Sequence, residues 1–361
     1  MSVRCAEAAT ATTLTVGGQE LLSFAGTGYL GLAHHPEVLD AVRETLGRCG
    51  LSAGASRVTS GSFVEHEALE EQLGRFLGVE AALVTTDGWL ADEAVLEAHA
   101  GELDAILVDR NAHDSLRVAA RLAGAPVEEY DAAELAAADA FLDQNPGGRV
   151  AVLTDGVFPM RQRVADLPEL LGRAGEDGLL LVDDSHALGM LGTGGRGSAS
   201  QHGLQDRRLV TAGSLAKSLG ASGGFIAGSA AAVERIRARA EAYASTTPVP
   251  PAVAAGARAA LGVLEREPER HARLVANARA LGELGRSLGR VPGPIPIPVL
   301  AVPVPDAGRG AALERAFTAA GIFVPWITYG GGAGDLRVAV TSEHTPEHLD
   351  RLRTALEAAL A

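Results

Sequence analysis

From about residue 80 onward, short apolar runs alternate with stretches whose apolar positions recur at helical spacing. The runs Ala81–Thr86, Ala105–Asp109, Val150–Asp155, Leu179–Asp184, Leu209–Gly213 and Phe225–Gly228 predict β-strands. Between most of them lie helical stretches such as Leu90–Ala100, Ser115–Leu122 and Leu167–Ala174. Strands apolar at nearly every position need cover on both faces. The alternation therefore predicts an α/β fold with a mostly parallel central sheet flanked by helices. Upstream, Pro36–Leu46 and Glu65–Leu77 read as helices, with Pro36 suited to a first helical turn.

The pattern changes after about residue 245. STTPVPP (Ser245–Pro251) is a turn-rich break, and Ala/Arg/Glu-rich helical segments follow to about Leu288. In Val291–Pro305 prolines alternate with apolar residues, which allows an edge strand but not a central one. Leu336–Val340 reads as a further strand and Pro346–Leu360 as a closing helix. The expected organisation is an N-terminal segment (1–25), a large α/β domain (26–262) and a smaller C-terminal α+β domain (263–361).

Composition narrows the possible partners. The chain has 361 residues, 45 acidic and 31 basic, for a formal charge of -14. Such a balance argues against a nucleic acid partner, whose phosphates need a basic face. With only Cys5 and Cys49 there is no disulfide framework and no Cys-rich zinc site. The first residues lack the apolar core of a signal peptide, and no run of about 18 apolar residues could span a membrane. A cytoplasmic protein is expected.

Several segments carry chemistry. GTGYLG (Gly26–Gly31) and GTGGRG (Gly192–Gly197) match the dinucleotide fingerprint in letters. Neither sits convincingly between a strand and a helix, so plain glycine turns are the better reading. Asp183 and Asp184 end an apolar run and His186 follows. The carboxyl ends of such strands are where ligands bind, and alternation sends the two acids to opposite faces. Turn capping is the plainer role for both. Lys217 sits in the small-residue segment TAGSLAKSLGASGGF, three residues after Ser214. A poorly solvated amine there would be a nucleophile, while a surface lysine on a loop is an equal alternative. His113 follows a strand, where it could stack on a flat ligand or simply enter a helix. Gly88 opens a helix whose free N–H groups suit an anion. His34, His35, His344 and His348 lack a third ligand at metal spacing, so no metal is expected. Together, an amine, a carboxylate, histidines and an anion cradle after strands of one sheet are the set that pyridoxal phosphate (PLP) requires.

At that level the chain resembles the α-oxoamine synthases, within the fold-type I, aminotransferase-like PLP enzymes. The resemblance runs from about Phe24 to the C-terminus. It rests on YLGLAHHPEV (Tyr29–Val38), SRVTSGSFVEHEALEEQL (Ser56–Leu73), DGWLADEAVL (Asp87–Leu96), DRNAHDSL (Asp109–Leu116), TDGVFPM (Thr154–Met160), VDDSHALGMLGTGGRG (Val182–Gly197), AGSLAKSLGASGGFIAGS (Ala212–Ser229) and LRVAVTSEHT (Leu336–Thr345). It implies that Lys217 holds the cofactor covalently, Asp183 pairs with the pyridine nitrogen, His186 bonds the ring hydroxyl and His113 stacks on the ring. It further implies phosphate contacts from Gly88, Trp89 and Ser214, with Thr247 reaching the phosphate of the neighbouring subunit of a homodimer. Arg337 would bind the amino-acid carboxylate, with Thr27 near it.

The implied reaction is a decarboxylative condensation of an amino acid with an acyl thioester of coenzyme A or a carrier protein. Lys217 would remove the Cα proton. Thr27, Asp155, Pro159, Ala216 and the segment Trp326–Asp335 depart from the family pattern. They point to altered substrates, or to a relative making another carbon–carbon bond, transferring an amino group or performing β/γ-replacement. Arg57 and Arg161–Arg163 are candidate contacts for an acidic donor; Arg57 could equally anchor a loop, and the others could be solvated.

Overall fold

The computed structural model describes residues 5–144, 147–328 and 333–360. They divide into two compact units. Residues 35–158 and 164–266 form the larger; residues 1–34, 159–163 and 267–361 form the smaller.

The larger unit is built on seven strands: β1 (Ala81–Thr85), β2 (Ala105–Asp109), β3 (Val127–Tyr130), β4 (Val150–Asp155), β5 (Leu179–Asp183), β6 (Leu209–Ser214) and β7 (Gly224–Gly228). Their order is β1-β7-β6-β5-β4-β2-β3. The neighbouring pairs β6-β5, β5-β4, β4-β2 and β2-β3 are parallel, and β7 runs antiparallel to both β6 and β1. Strand alternation divides the side chains between two apolar layers. Ile106, Val108, Leu153, Leu181 and Ile226 join one, with Ala91, Val95 and Leu116 from the helices Gly88–Glu97 (α1) and Asp114–Leu122 (α2). Leu107, Val152, Leu180 and Val182 join the other, with Leu167, Leu170 and Phe158. Each such buried aliphatic contributes roughly 1.5–3 kcal/mol, which explains the near-continuous apolar strands.

The N-terminal segment is not a unit of its own. Ala8–Ala9, Thr13–Val16 and Gln19–Ser23 form an antiparallel series, and Leu22 and Ser23 pair in parallel with Ile322 and Phe323. In the same unit, Val299–Val304, Gly334–Ala339 and Trp326–Thr328 form a three-stranded antiparallel sheet with Val299–Val304 at its edge. The edge position accommodates Pro303, which has no N–H to give a ladder. Phe24, Phe317, Val338, Leu352 and Leu356 fill the core beneath. No helix among the described residues is long and apolar enough to cross a membrane.

Candidate active site

The carboxyl ends of β4, β5 and β6 gather the polar groups of the larger unit. Asp183 closes β5 in register with Asp155 on β4 and Ala212 on β6. By alternation, Asp155 and Asp183 project on the face of Leu153 and Leu181, which α1 and α2 cover. The Asp183 carboxylate accepts from the Ser185 N–H at 2.7 Å. Asp184 belongs to the opposite face, where it accepts from the backbone N–H of Ser198 at 2.9 Å and from the Ser198 hydroxyl. Burial pushes Asp184 up to about 7, against the pull of both bonds. Asp184 thus ties its strand end to Ser198, fourteen residues on, while Asp183 is the acid that caps the following turn. His186 lies half-buried in that turn.

Lys217 is half-buried in the turn that follows β6, and its own carbonyl accepts from the Gly220 N–H at 3.1 Å. Its charge is felt at two buried acids. Burial first, then the Asp183 charge, push Asp92 and Asp155 well above the usual carboxylate range, and the Lys217 ammonium opposes both shifts. Ser214, at the end of β6, is not a helical neighbour of Lys217. Its hydroxyl accepts from the Ala216 N–H at 3.1 Å, and its own N–H donates to Ser185 Oγ at 2.9 Å.

The first turn of α1 meets this strand end. Asp87 caps the helix by accepting from the Leu90 N–H at 2.9 Å. Gly88 comes next, and a Cβ there would stand 3.0 Å from the Cβ and backbone nitrogen of Ser214. Trp89 is 41% exposed and stands nearly perpendicular to the His113 ring, 5.9 Å between centroids. His113 precedes α2; its backbone N–H donates to Asp155 Oδ1 at 3.0 Å. Its Nδ1 lies 2.8 Å from Ser115 Oγ, which lies 2.7 Å from Asp92 Oδ2. Thr247 is exposed, and its carbonyl accepts from the Thr86 hydroxyl at 3.0 Å. The larger unit therefore brings together Asp183, Lys217, Ser214, Gly88, Trp89 and His113.

In the smaller unit, Arg337 donates to the Gly26 carbonyl at 2.8 Å and approaches the Tyr29 hydroxyl at 3.5 Å, beside Thr27. Burial pushes Tyr29 up to about 12, with Arg337 opposing. Part of the divergent segment Trp326–Asp335 lies outside the described residues. Arg57 is no surface cation. It is buried and forms a two-pronged pair with Glu70 at 2.8 and 3.2 Å.

Two participants are not singled out by the motifs: Asp92 and Ser115. Asp92 had one legible signal, a carboxylate on the apolar face of a short helix, one turn after Gly88. A further signal concerns Lys217 itself: against thirty arginines, it is the one lysine of the 361-residue sequence.

Residues 20–356 match the family model for aminotransferases of class I and II. The chain is 38% identical to an 8-amino-7-oxononanoate synthase of Methylococcus capsulatus over 98% of its own length and 92% of the relative's. It is 37% identical to the same-named protein of Marinobacter nauticus, over 95% and 88%. Among solved structures, a serine palmitoyltransferase from S. paucimobilis with bound PLP–myriocin aldimine superposes with a TM-score of 0.92 at 26% identity, covering 99% of this chain and 92% of that one. A Sphingomonas wittichii serine palmitoyltransferase superposes at 0.89, also at 26% identity, over 97% and 90%. A doubly covered, mostly parallel sheet, strand ends that gather an amine with carboxylates, and these similarities along nearly the whole chain have one reading: the protein belongs to the α-oxoamine synthases, the PLP-dependent acyltransferases with the fold-type I architecture of the class I and II aminotransferases.

Proposed function

We propose that this chain condenses an amino acid with an acyl thioester, releasing carbon dioxide and a free thiol and leaving an α-aminoketone. The observation that carries the proposal is the position of the sole lysine, half-buried in the turn after β6, the strand whose Ala212 pairs with Asp183.

The residues fit PLP. The tight approach of Gly88 to Ser214 leaves backbone N–H groups of α1 and the Ser214 hydroxyl to hold a phosphate, a cradle that a Cβ would fill. A carboxylate at position 183 suits a cationic ring nitrogen. Bound there, PLP supplies an aldehyde for covalent attachment and a ring that takes up the electron pair left at a substrate Cα.

The protein's groups do the rest. Lys217 would hold the cofactor covalently, and its Nζ would serve as the base for the substrate Cα proton. Asp183 would keep the ring nitrogen protonated, and His186 would bond the ring hydroxyl. His113 would stack on the ring and exclude water. Gly88 and Trp89 N–H groups would hold the phosphate, with Thr247 reaching the phosphate of a neighbouring subunit. Arg337 clamps the amino-acid carboxylate in a bidentate pair, with Thr27 beside it. We assign the enzyme to the cytoplasm, with a coenzyme A or carrier-protein thioester as donor.

The test is a panel of amino acids and acyl thioesters supplied to PLP-loaded protein. Thiol and carbon dioxide released in equal amounts support the reading. Cofactor-dependent consumption of the amino acid with neither released would replace it with amino transfer or β/γ-replacement, which the changes at Thr27 and Pro159 would then explain.

A further inference from the structure

The contacts of Ser115 with Asp92 and His113 contain a count of protons. Ser115 Oγ lies 2.7 Å from Asp92 Oδ2 and 2.8 Å from His113 Nδ1, and each contact needs one proton. The hydroxyl supplies one of the two. The other comes from the Asp92 carboxyl or from Nδ1. The backbone N–H of Ser115 also points at Nδ1, at 3.3 Å. A proton on Nδ1 would face that N–H, so Nδ1 is an acceptor and the second proton belongs to Asp92. We infer that Asp92 is a protonated acid which, through the Ser115 hydroxyl, holds His113 as a neutral imidazole with its proton on Nε2.

Burial agrees. Asp92 is fully buried in α1, and among the described residues its Oδ1 has no hydrogen-bond partner. An orphaned neutral carbonyl oxygen costs far less than an orphaned anionic one. The charged groups that face Asp92 are Asp183 on β5, Asp155 on β4 and Lys217 after β6. The two carboxylates favour the acid form and the ammonium disfavours it.

The consequence concerns the ring of His113. An ionised Asp92 would draw a proton through Ser115 onto the imidazole, as a buried aspartate does for a catalytic histidine. A cationic imidazole stacks poorly on a protonated, electron-poor ring. A protonated Asp92 keeps the imidazole neutral and gives it an Nε2–H donor. Asp92 is then a positioning residue. This consequence rests on His113 serving the cofactor's ring face; the proton pattern itself is measurable in cofactor-free protein, so the two can fail separately.

The experiment uses the full chain, with and without PLP, labelled with 13C-aspartate and 15N-histidine. Infrared spectroscopy at pH 7 should show a carboxylic acid C=O band that is lost in Asp92→Asn. Long-range 1H–15N correlation, with His113 assigned by its loss in His113→Gln, should show the neutral Nε2–H form. Where rising pH removes the acid band, wild type should shift toward Nδ1–H, and Ser115→Ala should uncouple the two changes. If the band persists to the highest pH together with Nε2–H, the inference also stands. It is overturned by no acid band assignable to Asp92 at pH 7, by an Nδ1–H or doubly protonated His113, or by loss of the band without a change of tautomer.

Discussion

Asp184→Asn should remove a pH dependence of stability that the wild type carries. The folded protein holds the Asp184 proton up to about pH 7, whereas an unburied aspartate releases it near 3.8. Between those limits unfolding releases a proton, so stability falls as pH rises and levels off above about 7. For one group moved that far, the loss between pH 5 and pH 8 is about 3 kcal/mol. Asparagine has the same shape and can accept from the Ser198 N–H while donating to the Ser198 hydroxyl. Asp92 and Asp155 contribute in the same direction but are common to both proteins, so they cancel in the difference. Urea unfolding of cofactor-free protein at pH 5, 6, 7 and 8 gives the comparison. Wild-type stability relative to the variant should drop by about 3 kcal/mol across the series. Parallel pH profiles would refute the assignment of the proton to Asp184.

Gly88→Val places a branched side chain against Ser214, so PLP titration should give an affinity at least about tenfold weaker, with the far-UV spectrum unchanged. Arg57→Met leaves the Glu70 carboxylate buried with the Val84 N–H as its remaining short contact, at 2.9 Å; urea unfolding should register a loss of about 3–5 kcal/mol. Arg337→Ala should raise the KM for the amino acid by at least about tenfold, the worth of a charged hydrogen-bonded pair. A KM within twofold of wild type would remove Arg337 from the substrate site.

The strands of the larger sheet were legible because full burial makes them apolar at almost every position. Ala105–Asp109 and Val150–Asp155 match residue for residue, and the others differ by one residue at an end. The antiparallel course of β7 was not legible, since an apolar run carries no direction. Val127–Tyr130 was missed because two of its four residues are glutamates at a sheet edge. The N-terminal strands were missed because threonine-rich pairs joined by Gly17-Gly18 give little apolar contrast. Of the site, Asp183 and Lys217 were legible from strand ends and small-residue context. The Asp92–Ser115–His113 chain was not, because α1 and α2 bring its members together across 23 residues of sequence. The burial of Arg57, in a turn, depended likewise on a partner 13 residues away on the helix Val64–Leu77.

The decisive observation is one covalent bond, between Lys217 and the cofactor aldehyde. PLP-loaded protein is reduced with borohydride, digested, and its peptides read by mass spectrometry. Because Lys217 is the sole lysine, the only competing amine is the chain terminus. One phosphopyridoxyl group per chain is expected, on Lys217, and none on that peptide in Lys217→Ala. A modified terminus with an unmodified Lys217 would contradict it.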